Sequence, residues 1–257
     1  MLTCRLQGGL GNQMFQIAAT YGIAKKQNLE AKFNLDYCHT PAQGNEANKY
    51  DKTFFKLLPR FEGQGGITNV INEMGFSYNK ITPKDNSILN GYFQSDKYFK
   101  EYKNDLRNRI FYIDEVKMEE FDEYIDGIVG EEDITAVHVR RGDYMNLTDF
   151  HAPCSVEYYK EATERIGGNF IFVSDDIEWC KENFKGDNIY FSPYTEELDD
   201  LYLIMACNNQ IIANSSFSWW GAYLSDWDGT VIAPKKWFGP KGPQDTQDLI
   251  PNNWIKI

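Results

Sequence analysis

Residues 134–176 read ITAVHVRRGDYMNLTDFHAPCSVEYYKEATERIGGNFIFVSDD, and their pattern decides the fold class. The run 134–139 is short, apolar and β-rich. Residues 155–166 follow, with Val156, Tyr159, Ala162 and Ile166 near the 3.6-residue period of a helix. NFIFV at 169–173 is a second apolar strand. A strand, a helix and a strand of these lengths predict a βαβ unit with parallel pairing.

Towards the C-terminus the alternation continues. A helix is expected at 177–184, with Asp175 and Asp176 available as caps, and a strand at 188–191. The next helix, 195–207, carries Leu198, Leu201, Tyr202 and Met205 on one face. A strand at 210–213, a helix at 217–224 and a last strand at 230–233 complete the series. Towards the N-terminus, a strand at 2–6 runs into a glycine-rich loop. A helix at 12–27 follows, with Met14, Ile17, Ala18 and Tyr21 on one stripe. The pattern is then irregular until a strand at 88–93 and a helix at 95–109. The acidic stretch 114–133 reads as a linker, which predicts two α/β lobes, 1–130 and 131–257.

Composition narrows the function. The chain has 257 residues, 42% of them hydrophobic and 25% charged, enough to bury a sizeable core. Against 26 basic residues stand 38 acidic ones, a net charge of −12. Bulk nucleic acid is therefore an improbable partner, because phosphate neutralisation needs clustered Lys and Arg. The five cysteines, Cys4, Cys38, Cys154, Cys180 and Cys207, form no CxxC pair, and are expected as reduced, mostly buried thiols in a cytoplasm-like compartment. No apolar run reaches the ~18 residues of a membrane span. The N-terminus reads as a first core strand rather than a signal peptide.

Four motifs follow predicted strands. Gly8-Gly9-Leu10-Gly11-Asn12-Gln13 opens a helix, where backbone N–H groups meet a ligand; the plain alternative is a tight turn with Asn12 as N-cap. His138-Val139-Arg140-Arg141-Gly142-Asp143 ends a strand, and alternation puts His138 and Arg140 on one side and Arg141 on the other. An arginine there takes a diphosphate in a bidentate fork, with Asp143 orienting it or accepting a proton; the alternative is a surface ion-pair cluster. Ser174-Asp175-Asp176 offers a carboxylate to the N1–H and N2–H₂ of a guanine, or simply caps a helix. Asn214-Ser215-Ser216-Phe217 opens another helix and forms a phosphate nest, or a plain cap before a buried Trp219-Trp220 pair. Carboxyl ends of parallel strands line one crevice, so the last three clusters together suggest a nucleoside-diphosphate site. Asp226-Trp227-Asp228 is a possible metal pair but reads better as the turn before the last strand. The sequons at Asn146 and Asn214 have no meaning without secretion.

GGLGNQMFQ (8–16), HVRRGDY (138–144), VSDD (173–176) and NSSFSWWGAYL (214–224) together resemble the α1,2-fucosyltransferases of glycosyltransferase family 11, bacterial branch. GYFQS (91–95) and IPNNW (250–254) are similar too. The resemblance implies a GT-B-type α/β fold with two Rossmann-like lobes facing across a cleft, acceptor on the first and GDP-fucose on the second. It implies inverting transfer of L-fucose from GDP-β-L-fucose to the 2-hydroxyl of a β-galactoside, with no metal or other cofactor. Arg140 would clamp the diphosphate and His138 and Asp175 would contact the nucleoside. Ser215, Ser216 and Phe217 would hold phosphate or base, and Asn12 would face the reacting sugar. Related α1,6-fucosyltransferases carry a glutamate several residues after HxRR; here no carboxylate follows Asp143 until Asp149. Asp143 is the candidate base, with His151 and Asp149 as rivals. The expected acceptor is a glycan or lipid-linked oligosaccharide, and the expected place is the cytoplasm or the inner face of its membrane. Two other classes stay open: a nucleotide- or glycan-binding module without catalysis, and a dinucleotide-dependent oxidoreductase. The second is disfavoured by Met14 where the fingerprint has its third glycine.

Overall fold

The computed structural model describes residues 1–36, 47–63 and 65–257; Cys38 lies outside the described residues. Two compact units divide the chain, residues 1–113 with 245–251 and residues 114–244 with 252–257.

In the first unit, β1 (Leu2–Cys4) leads through the glycine loop into α1 (Leu10–Lys26). The helix is buried over most of its length, from Leu10 to Ala24 except Asn12, because its apolar residues occupy more than one stripe. β2 (Asn69–Asn72) and β3 (Ser87–Asn90) complete a parallel sheet of order β1-β3-β2. The helix expected at 95–109 is broken. Phe99 leaves the helical region (φ −141°) and buries its ring, splitting the segment into two 3₁₀ turns. The three-residue α2 (Lys103–Asp105) and a π turn at Leu106–Ile110 follow. The returning segment 245–251 is tied in by side chains: Asp245 accepts the N–H of Phe76 (2.7 Å), and Asp248 accepts that of Tyr78 (3.0 Å) and pairs with Lys97.

The lobe boundary falls at 113/114 rather than at 130/131. The acidic stretch is not a linker but α3 (Glu115–Val129), capped by Asp114 through the N–H groups of Val116 and Lys117. Its charges face water while Phe121 and Ile125 are buried. Phe121 stacks on Tyr202 at 6.1 Å and meets Tyr194 edge-on at 4.9 Å, which fixes the helix to the second unit.

The second unit runs β4 (Ile134–Val139), α4 (Val156–Ile166), β5 (Asn169–Ser174), α5 (Ile177–Asn183), β6 (Ile189–Phe191), α6 (Glu197–Ala206), β7 (Asn209–Ile211), α7 (Ser216–Leu224), β8 (Val231–Ala233) and β9 (Ile255–Lys256). Its sheet has the order β6-β5-β4-β7-β8-β9, every neighbour parallel. Central β4 is buried at all six positions, as a strand covered on both faces must be. Val137, Val139, Phe170, Phe172 and Ile211 pack with Tyr159 and Ala162 of α4. Trp219 and Trp220 are fully buried, as the core reading expected, with Trp219 stacked on Tyr223. Cys4, Cys180 and Cys207 are buried free thiols and Cys154 is half-buried. Among the described residues no helix is long and apolar enough to cross a membrane.

Candidate functional site

The strand order of the second unit reverses direction between β4 and β7, and an open α/β sheet binds ligands outside the carboxyl ends at such a switch point. Arg140 follows the end of β4 there, β5 ends with Ser174 and is followed by Asp175, and β7 leads through Asn214 into α7. Three of the four clusters singled out in the sequence thus meet. Arg140 Nη1 lies 3.0 Å from Asp175 Oδ2, the Tyr144 hydroxyl donates to the Asn214 carbonyl (3.3 Å), and the His138 ring sits 5.5 Å from that of Phe217.

Arg140 is the centre of this group. Its Nη2 donates to Asp143 Oδ1 at 2.7 Å, so the two nitrogens are held by two carboxylates, and the guanidinium lies 5.4 Å from the Tyr144 ring. Burial opposes its charge, but Asp175 and then Asp143 outweigh that and hold its pKa above the usual arginine value. Asp175 is fixed in turn: its Oδ1 accepts the Arg141 N–H at 2.9 Å. Both of its oxygens serve the arginine loop, so Asp175 braces that loop. Gly142 makes that possible, since a Cβ there would come within 2.5 Å of Asp175 Oδ2.

Arg141 points elsewhere, as strand alternation requires. Its Nε donates to Asp176 Oδ2 (3.0 Å) and its guanidinium lies 4.0 Å over Trp179. Asp176 caps α5 through the Trp179 N–H. Ser174 makes a local turn, accepting the Asp176 N–H at 2.9 Å.

His138 is buried at the end of β4, and its Nδ1 has no partner among the described residues. Burial, helped by Arg140, pushes its pKa down to about 3, so the ring is neutral. An unmet buried ring nitrogen costs about 1–3 kcal/mol, which fits a group awaiting a polar partner. Ser215 takes the N-cap position of α7, yet its side chain makes no cap hydrogen bond. Ser216 is the first residue of that helix, and Phe217 is half-buried against His138. Asn214 departs from expectation. Its amide donates to the Trp237 carbonyl (2.8 Å) and its Oδ1 accepts from Cys154 Sγ (3.6 Å), so it braces the loop from a buried position.

The rival bases separate by their surroundings. Asp149 pairs with Lys241 at 2.7 Å. His151 stacks face to face on Tyr144 at 3.8 Å; burial lowers its pKa, with Asp143 opposing and Arg140 assisting. Burial also pushes the Tyr144 hydroxyl up to about 12, so it remains a donor. Asp226 and Asp228 are exposed in the turn before β8, at the opposite end of the strands. Among the described residues no group of three or more His, Cys, Asp and Glu is arranged to hold a metal ion.

The fourth cluster lies in the first unit. α1 begins at Leu10 with Gly9 in the N-cap position, so Asn12 sits inside the first turn and does not cap it. Gly11 is buried in the same turn. Gln13 Nε2 donates to the Gly8 carbonyl (2.9 Å), and Gln16 exchanges two hydrogen bonds with the backbone of Gln7. Asn12 Oδ1 accepts from Gln94 Nε2 at 2.6 Å. Sequence reasoning missed Glu73, just beyond β2, whose carboxylate accepts the N–H groups of Tyr92 (2.7 Å) and Phe93 (2.8 Å). A lone glutamate after a weak strand carries no signal of such pairing. Met14 is fully buried in α1, where a dinucleotide fingerprint needs a glycine.

Comparison with known proteins identifies the family and the fold. The family model "Glycosyl transferase family 11" matches residues 1–257. An α-1,2-colitosyltransferase of Escherichia coli is 31% identical, over 100% of this chain and 99% of its own length. The O-antigen biosynthesis glycosyltransferase WbnK of Escherichia coli is 28% identical over 100% of both. The structure of POFUT1 in complex with GDP matches at a TM-score of 0.51 with 10% identity, covering 94% of this chain and 96% of that one. The fold is thus GT-B-like α/β, and a dinucleotide-dependent oxidoreductase is displaced as a reading. The chain belongs to glycosyltransferase family 11 and is a fucosyltransferase-like glycosyltransferase.

Proposed function

We propose that the protein moves L-fucose from GDP-β-L-fucose to the 2-hydroxyl of a terminal β-galactoside, with inversion and without a metal. The observation that carries this reading is Arg140, set at the switch point and squared by Asp175 and Asp143. When the glycosidic bond to GDP breaks, the sugar becomes oxocarbenium-like and charge develops on the diphosphate. Arg140 and the N–H groups at the start of α7, around Ser215 and Ser216, meet that charge. Phe217 and His138 line the nucleoside. Asp226 and Asp228 are in the wrong place to help, at the other end of the strands.

Asp143 is the base in this reading. In the free protein it occupies Arg140 Nη2, and its side chain is 60% exposed. A diphosphate competes for that nitrogen, and the released carboxylate takes the acceptor proton late in the transfer. His151, whose pKa burial lowers, is the rival. Asn12 of the first unit meets the reacting sugar. The acceptor is a galactose-ended oligosaccharide, free or lipid-linked, on the cytoplasmic side, in keeping with the O-antigen relative.

A second donor is favoured by one finding, the 31% identical colitosyltransferase. The test is incubation with GDP-fucose or a GDP-linked colitosyl donor and a panel of β-galactosides, with the linkage assigned by NMR. An α1,2-fucosylated galactoside is the expected product. Transfer from the colitosyl donor alone replaces the donor, and release of GDP from neither rejects catalysis. For the base, Asp143→Asn is expected to lower kcat far more than His151→Gln does; the reverse assigns the role to His151.

A further inference from the structure

The carboxyl end of β3 runs into Gly91-Tyr92-Phe93-Gln94-Ser95, and this turn is built at a cost. Phe93 is fully buried with φ +53°, in the left-handed region that a bulky side chain avoids. Gly91 is needed because a Cβ there would overlap the Cβ of Glu73. What holds the chain in this shape is the Glu73 carboxylate. Oε2 accepts from the Tyr92 N–H at 2.7 Å and Oε1 from the Phe93 N–H at 2.8 Å. Two amides on two oxygens fix both peptide planes, and a carboxylate is the only side chain that supplies two equivalent acceptors on one short stem.

The strained residue is followed by the one that touches α1. Gln94 is buried, and its Nε2 donates to Asn12 Oδ1 at 2.6 Å. That bond holds the Asn12 carboxamide with its Oδ1 toward Gln94. Gly8, at φ +78°, keeps the opposite side open, since a Cβ there would overlap Asn12 Nδ2. A half-buried acid, a strained backbone and two glycines thus converge on one amide.

We propose that Glu73 is the positioning residue for Asn12: by clamping the Tyr92 and Phe93 amides it seats Gln94 on the Asn12 carboxamide and so sets the rate of glycosyl transfer. The proposal rests on the reading of Asn12 as the residue that meets the reacting sugar. Glu73→Gln removes one acceptor and turns an NH₂ group against one of the amides, with little change in volume.

A double-mutant cycle tests it. Steady-state kcat, KM for donor and acceptor, and melting temperature are measured for wild type, Asn12→Ala, Glu73→Gln and the double variant. Each single variant is expected to lower kcat by about 10–100-fold, the scale of a small misplacement of a reacting group, with donor KM little changed. The double variant is expected to match Asn12→Ala within about twofold, because Glu73 acts only through Asn12. Where Glu73→Gln melts below the assay temperature, Gln94→Met takes its place in the same cycle. If Asn12→Ala slows transfer but the Glu73 loss is absent or multiplies with it, the proposal falls alone. If Asn12→Ala leaves kcat unchanged, the reading of Asn12 falls and takes the proposal with it.

Discussion

The two units hold their polar site residues by different means. In the second, charge does the holding: Arg140 lies between Asp175 and Asp143, and Arg141 between Asp176 and the Trp179 ring. In the first, Asn12 is set by a part-buried amide–amide bond from Gln94, in a turn fixed by the carboxylate of Glu73. The ion-paired edge suits a ligand that carries charge, since a diphosphate replaces a carboxylate partner of equal sign. The neutral edge suits an uncharged sugar, where direction matters more than field strength. Under the proposed function, the second unit therefore governs donor affinity and leaving-group departure, and the first governs orientation.

Substitutions that keep charge but lose geometry press hardest on this contrast. Arg140→Lys retains the cation and loses the fork, and is expected to lower kcat by roughly 10²–10³, the scale of one lost transition-state donor. Its effect on KM for the donor is smaller, because charge on the diphosphate is not fully developed before cleavage. Steady-state kinetics check it, and a kcat near wild type breaks the assignment of the clamp. Gly142→Ala comes next, with an expected loss of about tenfold in kcat, since a misplacement below 1 Å costs less than a deleted donor. The new Cβ would crowd Asp175 Oδ2, and Asp175 cannot swing aside without dropping either Arg140 or the Arg141 N–H. A parallel Gly142→Ala, Asp175→Asn cycle sharpens this, because the two losses are expected not to add.

Arg141→Lys carries the smallest catalytic effect. Its contacts are structural, so kcat is expected within about threefold of wild type while stability falls by about 1 kcal/mol, the combined scale of a cation–π contact and a partly exposed ion pair. Urea denaturation and kinetics on the same preparation separate the two. A larger kcat loss in Arg141→Lys than in Arg140→Lys reverses the strand register on which the site was assigned.

How legible the units were follows the same division. Every β4-to-β8 element stood out in the sequence to within a few residues, because short apolar strands buried on both faces alternate with amphipathic helices. The end of β9 did not, being two exposed residues with no periodicity. In the first unit β2 was invisible: NVIN is an edge strand with Val70 exposed, and only its pairing with β3 makes it one. The segment 95–109 looked helical because its apolar spacing is right, but burial of the Phe99 ring overrode the period. At the site, the sequence marked Arg140, Asp143 and Asp175 as separate agents, whereas the fold joins them into one ion-paired group. Asn214 was marked as a ligand residue but is used as a brace. Glu73 was out of reach, since its role depends on amides about twenty positions away and on one residue with positive φ.

The division of labour between the units is tested most directly by calorimetric titration of GDP into Arg140→Ala and Asn12→Ala, with kcat measured on the same samples. The account predicts that kcat falls in both, that GDP binds Arg140→Ala about 10–100-fold more weakly, the scale of lost hydrogen bonds to a charged group, and that GDP affinity in Asn12→Ala stays within about twofold of wild type, since the neutral amide gives the nucleotide nothing. GDP affinity unchanged in Arg140→Ala, or lost in Asn12→Ala to the same degree, would contradict it.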